Sequence, residues 1–191
     1  MKKSIGALIG LYPTPLVVVG AMVEGKPNWV LAGHVGIIGH DRVMVSLAKN
    51  HYTNKGIREN QKLSINIVDE ALLPLADYAG CISGAKADKS GLFDFCMGET
   101  GTPMIEQSPV VMECFVEDVY RTEGFESFIC GITNTYVNEE VLTDEGKIDY
   151  RVLKPVLFEM PTYEYLRTGE VIGNCMGWGK NKSNTVTDEE E

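Results

Sequence analysis

Positive charge is scarce in this sequence. Across 191 residues, 17 Lys and Arg face 27 Asp and Glu, a formal net charge of −10. The basic residues stand singly or in pairs. Binding along a nucleic acid needs clustered cations, so nucleic acid is excluded as the main partner. One local pocket for a small phosphate is still allowed. Long apolar runs are also missing, and none approaches the roughly 20 residues of a transmembrane helix. The short run 5–11 follows Lys2 and Lys3. It contains Gly6 and Gly10, meets Pro13 and Pro15 at once, lacks a small-residue cleavage site and does not read as a signal peptide. The five cysteines, Cys81, Cys96, Cys114, Cys130 and Cys175, are odd in number and show no CxxC spacing. They read as reduced thiols, with the cytoplasm the expected compartment. Cys114 and Cys130 fall in strand-like runs and are expected in the core. His34, His40 and His51 fit no short ligand motif, so no metal site is expected. The glycine-rich stretch 173–180 fails both the P-loop and the dinucleotide-binding spacing and reads as a C-terminal strand end or loop.

What the chain does hold is β pattern. Pro15 to Val23 is apolar on both faces, as in a strand covered on both sides. Glu24-Gly25-Lys26-Pro27 reads as a hairpin turn, with a second strand from Asn28 to about His34. A third strand is expected over Arg42 to Ala48. Thr53 to Asn60 has a short helical pattern with Thr53 as its N-cap. Leu63, Ile65 and Ile67 alternate with polar residues as in a half-buried strand. Leu72 to Tyr78 reads as a helix with Pro74 in its first turn, and Lys89 to Phe95 as another short one. Val110 to Tyr120 and Ser127 to Val137 form a long antiparallel pair about Glu123-Gly124. Shorter strands are expected near Val141 and over Val156 to Glu159. Many strands with few short helices predict a mainly β fold, a closed or partly closed antiparallel barrel. One domain is expected over 1–179, with a disordered acidic tail over 180–191.

The segments that carry chemistry are Gly25-Lys26-Pro27-Asn28, the strand through His34, Ser46-Leu47-Ala48, Tyr52 to Ile57, Ile65-Asn66, and Ser83-Gly84 with Asp88-Lys89. In order and spacing they resemble the flavin reductase-like family, including the flavoredoxins, over roughly residues 12 to 137. The family pattern is a Pro and a hydrophobic strand, Gly-x-Pro-Asn, a strand ending near Ser, a Thr opening a short helix, Ile-Asn, then Ser-Gly and Asp-Lys. The chain departs from it at three places. Gly33-His34 stand where Ser-Trp is frequent, Asp41-Arg42 where Pro-Pro is frequent, and Tyr52 where a basic residue is frequent. These changes bear on the ring contacts and the acceptor rather than on the fold.

The resemblance implies an FMN-binding split β-barrel of Greek-key type, working as a homodimer. His51, Tyr52, Thr53, Asn54 and Lys55 would supply hydroxyl, backbone and cationic donors for the FMN phosphate at a helix start. Asn28, Trp29, Ala32, Gly33, His34 and Val35 would line the ring, with small residues admitting it to the backbone. Ser46, Leu47 and Ala48 would lie on the neighbouring strand, and Asp88 and Lys89 would close the site. Hydride transfer to a flavin requires stacking more than acid–base groups. No catalytic residue is therefore assigned, and His34 is the candidate for a hydrogen bond to flavin or substrate. The implied activity is an NAD(P)H-dependent flavin reductase or flavoredoxin. An FMN electron carrier between redox proteins, and a split barrel that has lost flavin, stay open beside it.

Overall fold

A computed structural model describes residues 1–177. Twelve strands and three short helices make up these residues. In chain order they are β1 (Thr14–Pro15), β2 (Val17–Val23), β3 (Lys26–Ala32), β4 (Val35–Ile37), β5 (Arg42–Ala48), α1 (Thr53–Asn60), β6 (Lys62–Ile67), α2 (Leu73–Cys81), β7 (Phe95–Met97), β8 (Pro103–Ile105), β9 (Val110–Arg121), β10 (Phe125–Val137), α3 (Tyr150–Leu153), β11 (Leu157–Glu159) and β12 (Glu164–Leu166). Seven strands form one sheet in the order β3-β2-β6-β9-β10-β5-β4. Every pairing in it is antiparallel.

The sheet curls because one stretch of chain serves both edges. β3 pairs with β2 at one edge, and two residues later β4 pairs with β5 at the other. Gly33 and His34 cross between them, and the Ser46 N–H donates to the His34 carbonyl at 2.9 Å. Two irregularities between β9 and β10, at Ile129/Cys130 and Ile132/Asn134, add the bend that curling needs. The β2–β3 turn is tight. Glu24 and Gly25 both have positive φ, 51° and 79°, the geometry that matches the right-handed twist of a two-residue hairpin.

Two cores share β2. Val17, Val19 and Ala21 point into the barrel with Val45, Leu47, Ile57, Leu63, Ile65 and Phe128. Leu16 and Val18 point outward, into a second core with Trp29, Val68, Ala76, Phe93, Ile105 and Val156. The continuous apolar run of β2 is therefore buried on both faces. Cys114 and Cys130 lie in the barrel core, and burial raises both thiols, that of Cys130 to about 12.

Several sequence expectations are corrected. β6 is covered on both faces, not half-buried. Ser64 and Asn66 are fully buried and hydrogen-bonded to the Pro103 and Val18 carbonyls, so their polarity reflects partners rather than exposure. Lys89 to Phe95 is not a helix; turns occupy it, and Phe95 opens β7. The segment at Val141 is a 3-10 turn, Glu139–Val141, rather than a strand. The N-cap of α1 is Tyr52, and Thr53 is the first helical residue. β4, β7, β8, β12 and α3 are not expected from the sequence because each has four residues or fewer and carries no period. Residues 171–177 contain no strand; the rest of the glycine-rich stretch and the acidic tail lie outside the described residues.

Candidate functional site

The split between the two sheet edges opens into a cleft. Ala32 ends β3 and Gly33 and His34 follow it. Ser46, Leu47 and Ala48 end β5, and His51 follows them. These residues face Phe125 from the start of β10 and Phe158, Met160 and Tyr165 from the C-terminal strands. The cleft encloses about 270 Å³. A second cleft adjoins it, sharing Gly33, His34, Ser46 and Phe125 and adding Tyr12, Val35 and Met44. The Phe158 ring packs directly on the Gly33 backbone, which the missing Cβ allows; one placed there would lie 2.5 Å from that ring. Gly33 is held from behind by the Thr14 hydroxyl, which donates to its carbonyl at 2.6 Å. His34 is half-buried. Its Nε2 lies 2.8 Å from the Tyr12 hydroxyl, and its ring packs at 5.8 Å from Phe125.

The N-terminal end of α1 lies beside this cleft and opens on a third, polar one. Tyr52 lines the polar cleft with Asn28, Lys26 and the loop 84–89. Asn28 is buried and donates to the Thr53 hydroxyl at 2.6 Å, which ties β3 to the helix start. Lys89 is also buried. Its ammonium donates to the Trp29 carbonyl at 3.0 Å and the Ala79 carbonyl at 2.7 Å, and burial lowers its pKa. Asp88 pairs with Lys26 at 2.7 Å on the exposed lip of the cleft.

The remaining expected site residues do other work. Trp29 is wholly buried in the second core, 5.4 Å from Phe93, and lines none of the three clefts. Lys55 is taken up by Glu24 at 2.5 Å and lines none of them either. Asn54 turns inward, donating to the Ala48 carbonyl and to Glu126. Glu126 also accepts from Arg58 and Arg121. That network fixes α1 against both Ala48 and Phe125, two walls of the first cleft. Sequence reading missed Tyr12, Phe125, Phe158, Met160 and Tyr165. They come from segments far apart in the chain, and no spacing signal joins them.

Flat apolar walls with backbone and imidazole groups at one edge suit a planar ring system with a polar rim. A polar neighbouring cleft at a helix start, with buried Lys89 in its wall, suits an anionic tail. Together with the curled barrel, these features suit a split-barrel protein that holds a planar cofactor with an anionic tail.

Comparison with known proteins gives the family. A family model described as "Flavin reductase like domain" matches residues 9–165. The flavoredoxin of Methanosarcina acetivorans is 34% identical, with a TM-score of 0.91 over 95% of this chain and 99% of that one. The flavoredoxin of Desulfovibrio vulgaris (Miyazaki F) is 33% identical, with a TM-score of 0.86 over 94% and 100%. An FMN-binding protein of Thermus thermophilus, 20% identical over 92% of this chain and 97% of that one, shares the fold at a TM-score of 0.77. The chain belongs to the flavin reductase-like family. No curated protein matches it. No helix of the described residues is long and apolar enough to cross a membrane.

Proposed function

We propose that this protein holds FMN without covalent attachment and works as an NAD(P)H-dependent oxidoreductase of the flavoredoxin type, as a homodimer. The observation that carries the reading is the cleft at the barrel's split, where bare backbone at Gly33 faces an aromatic wall. Ala32 and Ala48 leave room for the ring, and the aromatic wall excludes water from one of its faces while the other is left to the nicotinamide. The Ser46 hydroxyl offers a hydrogen bond at its polar rim, and His34 stands beside it on the side of the substrate. The phosphate lies toward the polar cleft, near Asn28, Tyr52 and the buried Lys89, with Asp88 and Lys26 at the lip. When bound, the flavin accepts a hydride from the nicotinamide and passes electrons onward. The match to two flavoredoxins over almost the whole chain supports this assignment.

The net charge of −10 favours a second reading, an electron carrier steered onto a basic redox partner. Anaerobic mixing with NADH or NADPH separates the two. Bleaching of bound flavin within seconds supports the reductase. Flavin that stays oxidised with both nucleotides refutes it and leaves the carrier.

A further inference from the structure

Groups able to supply a proton are few in this site. Among the residues lining the two adjoining clefts there is no carboxylate, lysine or arginine. The titratable side chains there are Tyr12, His34, His51 and Tyr165. Burial, together with a hydrogen bond to Asp77, pushes the Tyr165 phenol upward, so it keeps its proton. Of the other three, Tyr12 and His34 are joined, Oη to Nε2, at 2.8 Å. The Tyr12 hydroxyl also reaches Met160 Sδ at 3.5 Å. Tyr12 stands on the segment before β1 and His34 on the crossing between β3 and β4. The other residues that meet them in the clefts, Ser46, Phe125 and Met160 among them, are uncharged. With Nε2 engaged, Nδ1 is the imidazole's other proton site.

We propose that the Tyr12–His34 pair supplies the proton to a neutral, planar quinone that is reduced in this cleft, an inference that rests on the flavin binding proposed above. A cationic acceptor would lose its hydration here with no carboxylate to compensate, and an anionic one would have the His34 imidazolium alone. A flat, uncharged ring suits the aromatic wall, and a quinone oxygen suits an imidazole donor. Converting a quinone to a hydroquinone takes two electrons and two protons. The quinone accepts a hydride from the flavin already reduced by the nicotinamide, which brings both electrons and one proton. The second proton comes from the His34 imidazolium: an N–H bond breaks, an O–H bond forms, and the flavin is left oxidised. Solvent returns a proton to the neutral imidazole, the side chain suited to such exchange between pH 5 and 8. Tyr12 is a positioning residue that fixes the ring.

The test uses the FMN-loaded protein, photoreduced without oxygen and mixed with either duroquinone or ferricyanide. Duroquinone has no ring hydrogen, so the exposed Cys81, Cys96 and Cys175 cannot add to it by substitution. Ferricyanide takes single electrons and no proton. His34→Gln is expected to lower the duroquinone-to-ferricyanide rate ratio by about 100-fold at pH 7. The solvent deuterium isotope effect on the wild-type ratio is expected to exceed that on the His34→Gln ratio. Tyr12→Phe lowers the ratio less and keeps part of that isotope effect. An unchanged ratio in His34→Gln, or an isotope effect equal in the two proteins, overturns the proposal. Calorimetric binding of durohydroquinone to the protein without cofactor is the second readout. Binding weakened about tenfold in His34→Gln, in line with loss of one hydrogen bond, supports the acceptor site even if FMN is not retained and the wider reading has failed. No binding, or equal binding by the variant, overturns it.

Discussion

Glu113→Gln is the substitution whose cost can be worked most fully from the structure. Glu113 lies on β9, fully buried, beside the irregularity that bends β10. Its Oε1 accepts from the Thr100 N–H at 3.1 Å and from the hydroxyls of Thr100 and Thr102 at 2.5 and 2.7 Å. Its Oε2 accepts from Asn134 Nδ2 at 3.2 Å and the Tyr136 hydroxyl at 2.9 Å. Burial acts most strongly on this carboxyl and would raise its pKa, but the hydrogen bonds together bring it from an ordinary 4.5 down to about 2. At about 1.4 kcal/mol per pH unit, that difference is worth about 3 kcal/mol of folding stability. Because the folded pKa is the lower one, this stabilisation is complete above pH 4.5 and is lost as pH falls toward 2. Glutamine keeps the shape but replaces one acceptor with an NH2. Whichever way the amide turns, it faces either the Thr100 N–H or the Asn134 amide with another donor. An unpaired buried donor costs a further 1–3 kcal/mol or so, and roughly 4–6 kcal/mol in total lowers the Tm of a chain this long by roughly 8–24 °C. Urea unfolding followed by circular dichroism at pH 7, 5 and 3 measures it. The wild type should exceed the variant at pH 7 and 5 and approach it at pH 3. Equal stability at pH 7, or a gap of constant size down to pH 3, would refute the reasoning.

Other consequences are as direct. A Cβ at Gly56 would overlap the Met22 carbonyl, where α1 sits on β2, so Gly56→Ala should cost about 3 kcal/mol in the same unfolding assay. In the native protein a thiol reagent should modify the exposed Cys81, Cys96 and Cys175 and spare Cys114 and Cys130 until denaturant is added; fast reaction of all five would contradict the buried placement. A Cβ at Gly84 would press on Asn28 and Tyr52 in the polar cleft. Gly84→Ala should therefore weaken FMN binding about tenfold, near 1.4 kcal/mol, in a fluorescence titration, and unchanged affinity would move the phosphate elsewhere.

The sequence was most legible where structure is local. Arg42–Ala48 and Thr53–Asn60 have the limits expected from the sequence, the first from its run of Val43, Met44, Val45 and Leu47 and the second from Thr53 at its start and Arg58 and Asn60 at its end. The β9–β10 hairpin was legible for the same reason. Partners from distant segments were not. Thr53 has the side chain of an N-cap, but Asn28 from β3 claims its hydroxyl. Lys89 is expected with Asp88 at the closing of the site, yet two carbonyls from β3 and α2 draw its ammonium inside. Trp29 sits near ring-lining residues in sequence, but it lies further along β3, over Gly20 and against Phe93, away from the cleft that Leu31 reaches on the same face. The resemblance located Gly33, His34 and Ser46, which line the cleft. The facing wall of Phe125, Phe158 and Tyr165 is assembled only when β10 and the C-terminal strands arrive.

The central claim is that the cleft at the split holds a flavin, and the visible absorption spectrum tests it most directly. The protein is measured as purified, then again after incubation with excess FMN and desalting. The account predicts a retained flavin spectrum at about one FMN per chain, as for a single specific pocket. A colourless protein in both samples would contradict it, and would leave Gly33, His34 and Phe125 as parts of a barrel with some other task.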